Sequence, residues 1–318
     1  MINQPSSLEQ PVDEQSTTTP AQVPSASAVL PPPTAYEVAT IDPEHPPWAQ
    51  PPWIGALKAL LIWVASVASL LFIPLILVIP YLIYRMTAAP GQVVVSQLEN
   101  DKTFLFLSVL GVIPAHVVTF LICYVIVTGW RNYPIGKTLG LSWPSSWGPI
   151  KGALICALIA AALFGGGALI TWFFPGDKTQ LDLLIESSNG ARVVTAFLAI
   201  VTAPVVEEIV YRGILYPAIN GVLGSAAAIG LVSLLFAAVH FLQYKNNLAV
   251  IGVITLVSIT LTAVRAYTRR LLPCLVIHLV FNGIQAIIIL LYPFLPKPEA
   301  APQPTPGELL PFVTQLFS

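Results

Sequence analysis

Residues 205–217 read VVEEIVYRGILYP. They lie in a long apolar run that begins near Ala196, yet they carry two adjacent glutamates, Glu207 and Glu208, and an arginine, Arg212. A charged side chain at mid-membrane costs roughly 2.5–3.5 kcal/mol on insertion scales. Three of them in one apolar segment are tolerable only if they neutralise one another inside a helix bundle or do chemistry there.

The rest of the chain supplies such a bundle. Of its 318 residues 56% are hydrophobic and 9% charged, with a net charge of −1. Soluble domains carry about 25% charged residues. With a mean hydropathy of +0.79, the composition implies an integral, multi-pass membrane protein and excludes a soluble core. Nothing in the charge balance suggests a nucleic-acid partner. Membrane lipid is the obvious one, and oligomeric state is not legible. Cys123, Cys156 and Cys274 fall in apolar runs without metal-ligand spacing, so they read as small apolar helix residues.

A membrane-crossing helix needs about 20 apolar residues. Working outward from the opening stretch, the spans predicted are about 57–84, 104–128, 150–174, 193–216, 225–244, 248–267 and 271–292. The fold class is therefore all-α, a polytopic transmembrane bundle of about seven spans, or eight if residues 54–84 split or the C-terminal tail is counted. The bundle occupies 51–293, and the part that carries the candidate catalytic motifs is 193–292. Residues 1–50 are rich in Pro, Ser, Thr and Gln, hold acidic residues but no Lys or Arg, and read as a disordered tail. Trp48 and Trp53 are expected to mark its arrival at the membrane interface. Residues 294–318 form a second Pro-rich tail. DLLIE at 182–186 suggests a short interfacial helix, and Gly165–Gly167 a site of close helix packing or a local kink. Loop Lys and Arg residues, with Arg265, Arg269 and Arg270 counted together and Arg192 counted on the opposite side, give a slight vote for an N-terminus on the inside.

The polar residues inside the spans carry the functional question. Glu208 and Arg212 stand four apart with the acid first, the favourable helical ion-pair spacing. Glu207 is turned by about 100° from Glu208 and has no arginine within one turn, so it must face water or another polar group. His240 follows Phe236 by one turn in FAAVH. His278 and Asn282 share one face in HLVFN. His116 lies near Pro114 with Thr119 as its local polar neighbour, and reads as structural. A carboxylate, two imidazoles and an amide converging in a bundle can activate water and stabilise an oxyanion. Glu207, His240 and His278 could instead hold zinc, although the HExxH pattern is absent. No cofactor is otherwise implied.

These residues resemble the motifs of the CAAX protease and bacteriocin-processing family, also called Abi, of intramembrane endopeptidases. The motifs EExxxR, FxxxH and HxxxN read here as Glu207–Arg212, Phe236–His240 and His278–Asn282. The resemblance implies a helical membrane hydrolase, named a metalloprotease family, acting on a peptide or protein substrate in the membrane. In the eukaryotic members that substrate is prenylated. It implies that Glu207 and His240 activate the attacking water, that His278 and Asn282 bind the oxyanion, and that Glu208 and Arg212 support the cavity. A bacterial plasma (inner) membrane location fits the composition. Two other readings use the same residues: a non-enzymatic bacteriocin-immunity or scaffolding member of the family, in which the polar groups serve assembly, and a small transporter or proton relay. The chain lacks the inverted repeat expected of the latter.

Overall fold

The computed structural model describes residues 41–88, 98 and 101–294. Seven helical segments among them are long and apolar enough to cross a membrane: Pro52–Ala88, Lys102–Thr128, Pro149–Phe173, Asn189–Leu223, Ser225–Tyr244, Leu248–Thr268 and Leu271–Phe294. These agree with the seven expected spans, and no strand occurs among the described residues. The C-terminal tail from 295 and the first 40 residues lie outside them.

The first span is broken. α1 (Pro52–Phe72) ends just before Pro74, and α2 (Leu75–Ala88) resumes after it. Proline removes a helical donor and clashes with the preceding turn. The second span is α3 (Lys102–Leu110) and α4 (Val112–Thr128), interrupted at Gly111. Asp101 caps α3 by accepting from the Thr103 and Phe104 N–H groups, and also pairs with Arg85 of α2 at 2.5 Å. A short α5 (Ile135–Leu139) precedes the third span, α6 (Pro149–Phe173). The DLLIE stretch forms α7 (Gln180–Ser187), opened by a capping box between Thr179 and Asp182.

The fourth span is the centre of the molecule. It runs through α8 (Asn189–Phe197), a π-helical segment (Leu198–Thr202), α9 (Ala203–Glu208), a second π segment (Ile209–Leu215) and α10 (Tyr216–Leu223). The later spans are α11 (Ser225–Tyr244), α12 (Leu248–Thr268) and α13 (Leu271–Leu291). One core gathers Ile62, Cys123, Leu139, Val210, Ile214 and Phe236 around the fourth span. A second joins α6, α12 and α13 through Cys156, Leu261, Cys274 and Ile277. Lipid is as apolar as leucine, so these contacts stabilise by close packing rather than by escape from water. Small buried residues such as Ala59, Ala160, Ala228 and Ala286 serve that purpose.

Three expectations can be set beside the side chains. Of the glycine run in α6, Gly167 is buried, whereas Gly165 and Gly166 face open space. Trp48 is buried against the bundle rather than exposed at its surface. The segment read as disordered includes residues 41–50, which form a turn and a 3-10 helix (Pro47–Ala49) with Glu44 and Ala49 buried. The physical reason lies inside the bundle: Glu44 meets the fully buried Arg265. Arg265 and Arg192 are both buried, so neither belongs in a comparison of loop charges.

Candidate active site

The backbone of the fourth span prepares the site. Pro204 and Pro217 have no N–H to donate, and each ring crowds the carbonyl four residues earlier. Each follows a π segment within two residues. In the first segment the Ala203 N–H reaches back five residues to Leu198. Pro204, which would serve Ala199 in a widened turn, has nothing to give. In the second, the Tyr216 N–H reaches Tyr211, and Pro217 leaves Arg212 unserved in the same way. Two carbonyls, those of Ala199 and Arg212, are thus released from the helix. Widened turns of this kind recur at functional sites.

Side chains from other helices take both carbonyls. Asn282 Nδ2 donates to the Ala199 oxygen at 3.1 Å, and Arg265 Nε to the Arg212 oxygen at 3.2 Å. Buried carbonyls are rarely left unpaired, because an orphan costs about 1–3 kcal/mol.

The charges divide as the spacing suggests. Glu208 and Arg212 are fully buried, and Arg212 Nη1 donates to Glu208 Oε1 at 2.8 Å. The remaining guanidinium donors go to α12: Nε to Thr262 Oγ1, and Nη2 to both the carbonyl and hydroxyl of Ser258. The guanidinium lies 4.9 Å from the Phe236 ring centroid, which gives the aromatic of FAAVH a role besides packing. Glu208 Oε1 also meets His278 Nδ1 at 2.8 Å, while Glu208 Oε2 is buried without a hydrogen-bond partner among the described residues.

Glu207 points elsewhere. Its side chain is 23% exposed, and its Oε2 is 3.7 Å from His278 Nε2. That separation is too long for a direct hydrogen bond and leaves room for a small group touching both. His278 therefore sits between the two glutamates, one on each ring nitrogen. His240 Nδ1 donates to the Phe236 carbonyl at 2.8 Å. The bond commits Nδ1–H to backbone and makes Nε2 the acceptor of the neutral ring.

Glu207, His240, His278 and Asn282 line one cavity of about 540 Å³, while apolar side chains from α1, α4, α7 and α12 form much of its remaining wall. The volume lies in the range of small-molecule and cofactor sites. All six sequence-predicted residues belong to one cluster. Glu208 and Arg212 stand behind the wall, and the other four are on it. Two features differ from expectation. His278 and Asn282 each have one donor already committed, leaving His278 Nε2 and the second amide N–H of Asn282 for the cavity. His116 is tied not to its own helix but to Thr202 Oγ1 at 2.8 Å in the first π segment, and lines the same cavity. Arg265 and Glu44 were not legible as site neighbours. The signal for the first is the proline five residues after Arg212.

Zinc ligation requires three or four donors gathered about one point. Among the described residues no three His, Cys, Asp or Glu side chains are gathered in that way.

Residues 189–284 match the protein-family model described as Type II CAAX prenyl endopeptidase Rce1-like. The matched segment contains all three motifs and the cavity wall they form, in agreement with the resemblance to the CAAX protease and bacteriocin-processing family. It supports a membrane protease role in general. No curated protein matches the chain, and no solved structure does.

Proposed function

Proceeding from this match, we propose that the protein is an intramembrane endopeptidase that hydrolyses a peptide bond of a membrane-associated polypeptide with water activated by Glu207 and His240. The observation that carries the reading is the division of the two adjacent glutamates: Glu208 is neutralised in the dry interior, and Glu207 is left on the wall of the cavity that His240 and His278 also line.

The chemistry follows from the available atoms. A water beside Glu207 gives its proton to the carboxylate or to His240 Nε2 as its oxygen bonds to the carbonyl carbon. The carbonyl oxygen becomes an oxyanion, met by His278 Nε2–H and the free N–H of Asn282. With both ring nitrogens protonated, His278 brings the charge of Glu207, Glu208, Arg212 and itself to zero. Collapse of the tetrahedral species breaks the C–N bond, and the proton held by Glu207 or His240 passes to the leaving amine. A positioned base contributes about 10²–10⁴-fold and an oxyanion donor about 10²–10³-fold. The apolar walls suit a lipidated or otherwise hydrophobic substrate segment. If the chain is bacterial, the membrane of this reading is the plasma (inner) membrane.

The test uses purified protein in proteoliposomes with an internally quenched peptide ending in a farnesylated cysteine and three further residues. Glu207→Gln and His240→Ala are expected to abolish cleavage while still accumulating as monodisperse membrane protein. Wild-type rates in both variants would overturn the assignment. A non-lipidated peptide of the same sequence tests the need for the prenyl group. Elemental analysis of active protein is expected to find less than stoichiometric zinc.

A further inference from the structure

The second released carbonyl leads beyond the matched motifs. The Arg212 oxygen has lost its helical donor because residue 217 is proline, and its replacement is Arg265 Nε. Arg265 is fully buried near the end of α12. A guanidinium there needs a counter-charge. It finds one in Glu44, which pairs with Nη1, while Nη2 donates to the Pro43 carbonyl at 2.9 Å. Glu44 Oε2 also accepts from Asn220 Nδ2 at 3.3 Å, and the Tyr216 ring lies 5.5 Å from the guanidinium carbon. The Pro43 ring occupies space that exists because residue 140 is glycine, with φ +70 and its position for a Cβ only 3.1 Å from that ring. Gly140 is in turn held by the Leu271 N–H at 3.0 Å.

We propose that Arg265 and Glu44 are positioning residues of the active site, and that the segment 41–50 ahead of the first span is part of its scaffold. This rests on the endopeptidase reading of the cavity. The chain of contact is continuous. Glu44 orients Arg265, and Arg265 fixes the backbone of Arg212. Arg212 holds Glu208 Oε1, and that oxygen sets the ring of His278 from its Nδ1 side. Neither Glu44 nor Arg265 lines the cavity, so they act through geometry alone. A displacement of about 1 Å behind a site can cost on the order of a hundredfold in rate.

The experiment compares full-length wild type, Glu44→Ala, Glu44→Gln, Arg265→Lys and Glu207→Gln in nanodiscs, with the farnesylated quenched peptide as probe. Lysine presents one ammonium and cannot reach Arg212, Pro43 and Glu44 as the guanidinium fork does. Glu44→Ala and Arg265→Lys are expected to lower kcat per folded molecule about 10–100-fold, with KM within about twofold of wild type. Glu44→Gln, which keeps the shape, is expected to fall between. Amide hydrogen exchange is expected to accelerate within 209–217, at its non-proline residues, and not at 225–244. Unchanged kcat in Glu44→Ala, or unchanged exchange at 209–217, overturns the proposal. Should Arg265→Lys fail to accumulate, the two Glu44 variants carry the same comparison. Equal cleavage by wild type and Glu207→Gln would instead sink the endopeptidase reading. In that case the exchange measurement alone decides the pairing, faster exchange supporting it and unchanged exchange refuting it.

Discussion

The helix from Asn189 to Leu223 contains one backbone device twice, and the two copies are completed differently. In each, a widened turn precedes a proline and releases one carbonyl, Ala199 before Pro204 and Arg212 before Pro217. The first carbonyl lies on the cavity wall and is taken by a neutral amide, Asn282. The second lies in the dry interior and is taken by a fully buried cation, Arg265. The contrast is one of solvent. A carbonyl on the wall of a cavity that also carries Glu207, His240 and His278 can be satisfied by water as well, so a weak donor suffices. A carbonyl sealed in the bundle must be served by protein. Here its donor is charged, which in turn requires the carboxylate of Glu44.

The contrast is tested most severely by deleting the charged donor. Arg265→Met leaves Glu44 buried without a counter-ion and is expected to destabilise by about 3–5 kcal/mol. Thermal unfolding in detergent measures this, and the double variant with Glu44→Gln should lose less than the two changes summed. Asn282→Leu is expected to cost less stability, about 1–2 kcal/mol, while lowering cleavage by about 10²–10³-fold. If the two substitutions destabilise equally, the distinction between wet and dry copies is wrong. A finer probe restores a donor. Pro204→Ala returns an N–H near Ala199, so the penalty of Asn282→Leu should shrink by about 1 kcal/mol in that background. A double-mutant cycle showing no coupling would mean that the amide does not serve this carbonyl.

The smallest effect concerns α7, whose Leu181 and Leu184 line the cavity. Burial pushes the carboxyl of Asp182, in its capping box with Thr179, up from 3.8 to about 6. A carboxyl that holds its proton more tightly when folded contributes stability that is complete below its ordinary value and lost as pH rises through the folded one. Amide exchange at 179–187, corrected for its intrinsic pH dependence, should therefore increase between pH 4 and 7. Asp182→Asn should flatten that change, and exchange at 209–217 should not follow it.

The spans were legible because crossing a hydrocarbon layer demands length and apolarity, both local properties of the chain. The division of Glu207 from Glu208 was legible for a similar reason, since helical spacing alone pairs Glu208 with Arg212. The partners of Arg265 and His116 were not, because Glu44 and Thr202 are brought to them by tertiary packing with no periodic trace. Arg265, close to Arg269 and Arg270, has the sequence appearance of a flanking loop charge. Asn282 was recognisable as a candidate for the cavity wall, but its bond to a backbone carbonyl could not be read from HLVFN. Two prolines in the fourth span were the visible sign that its hydrogen bonding would change.

The pairing of Glu44 with Arg265 also has a consequence for biogenesis. The two residues are 221 positions apart. At a synthesis rate of about 5–20 residues per second, the carboxylate leaves the ribosome on the order of ten to forty seconds before its guanidinium exists. Through that interval it has no counter-charge from α12. Its pairing with Arg265 can form only once the sixth span has been made. The contact of residues 41–50 with Arg265 is then a late event in assembly, and the proposed positioning pair is completed only after the spans that carry Glu207 and His240 have been made.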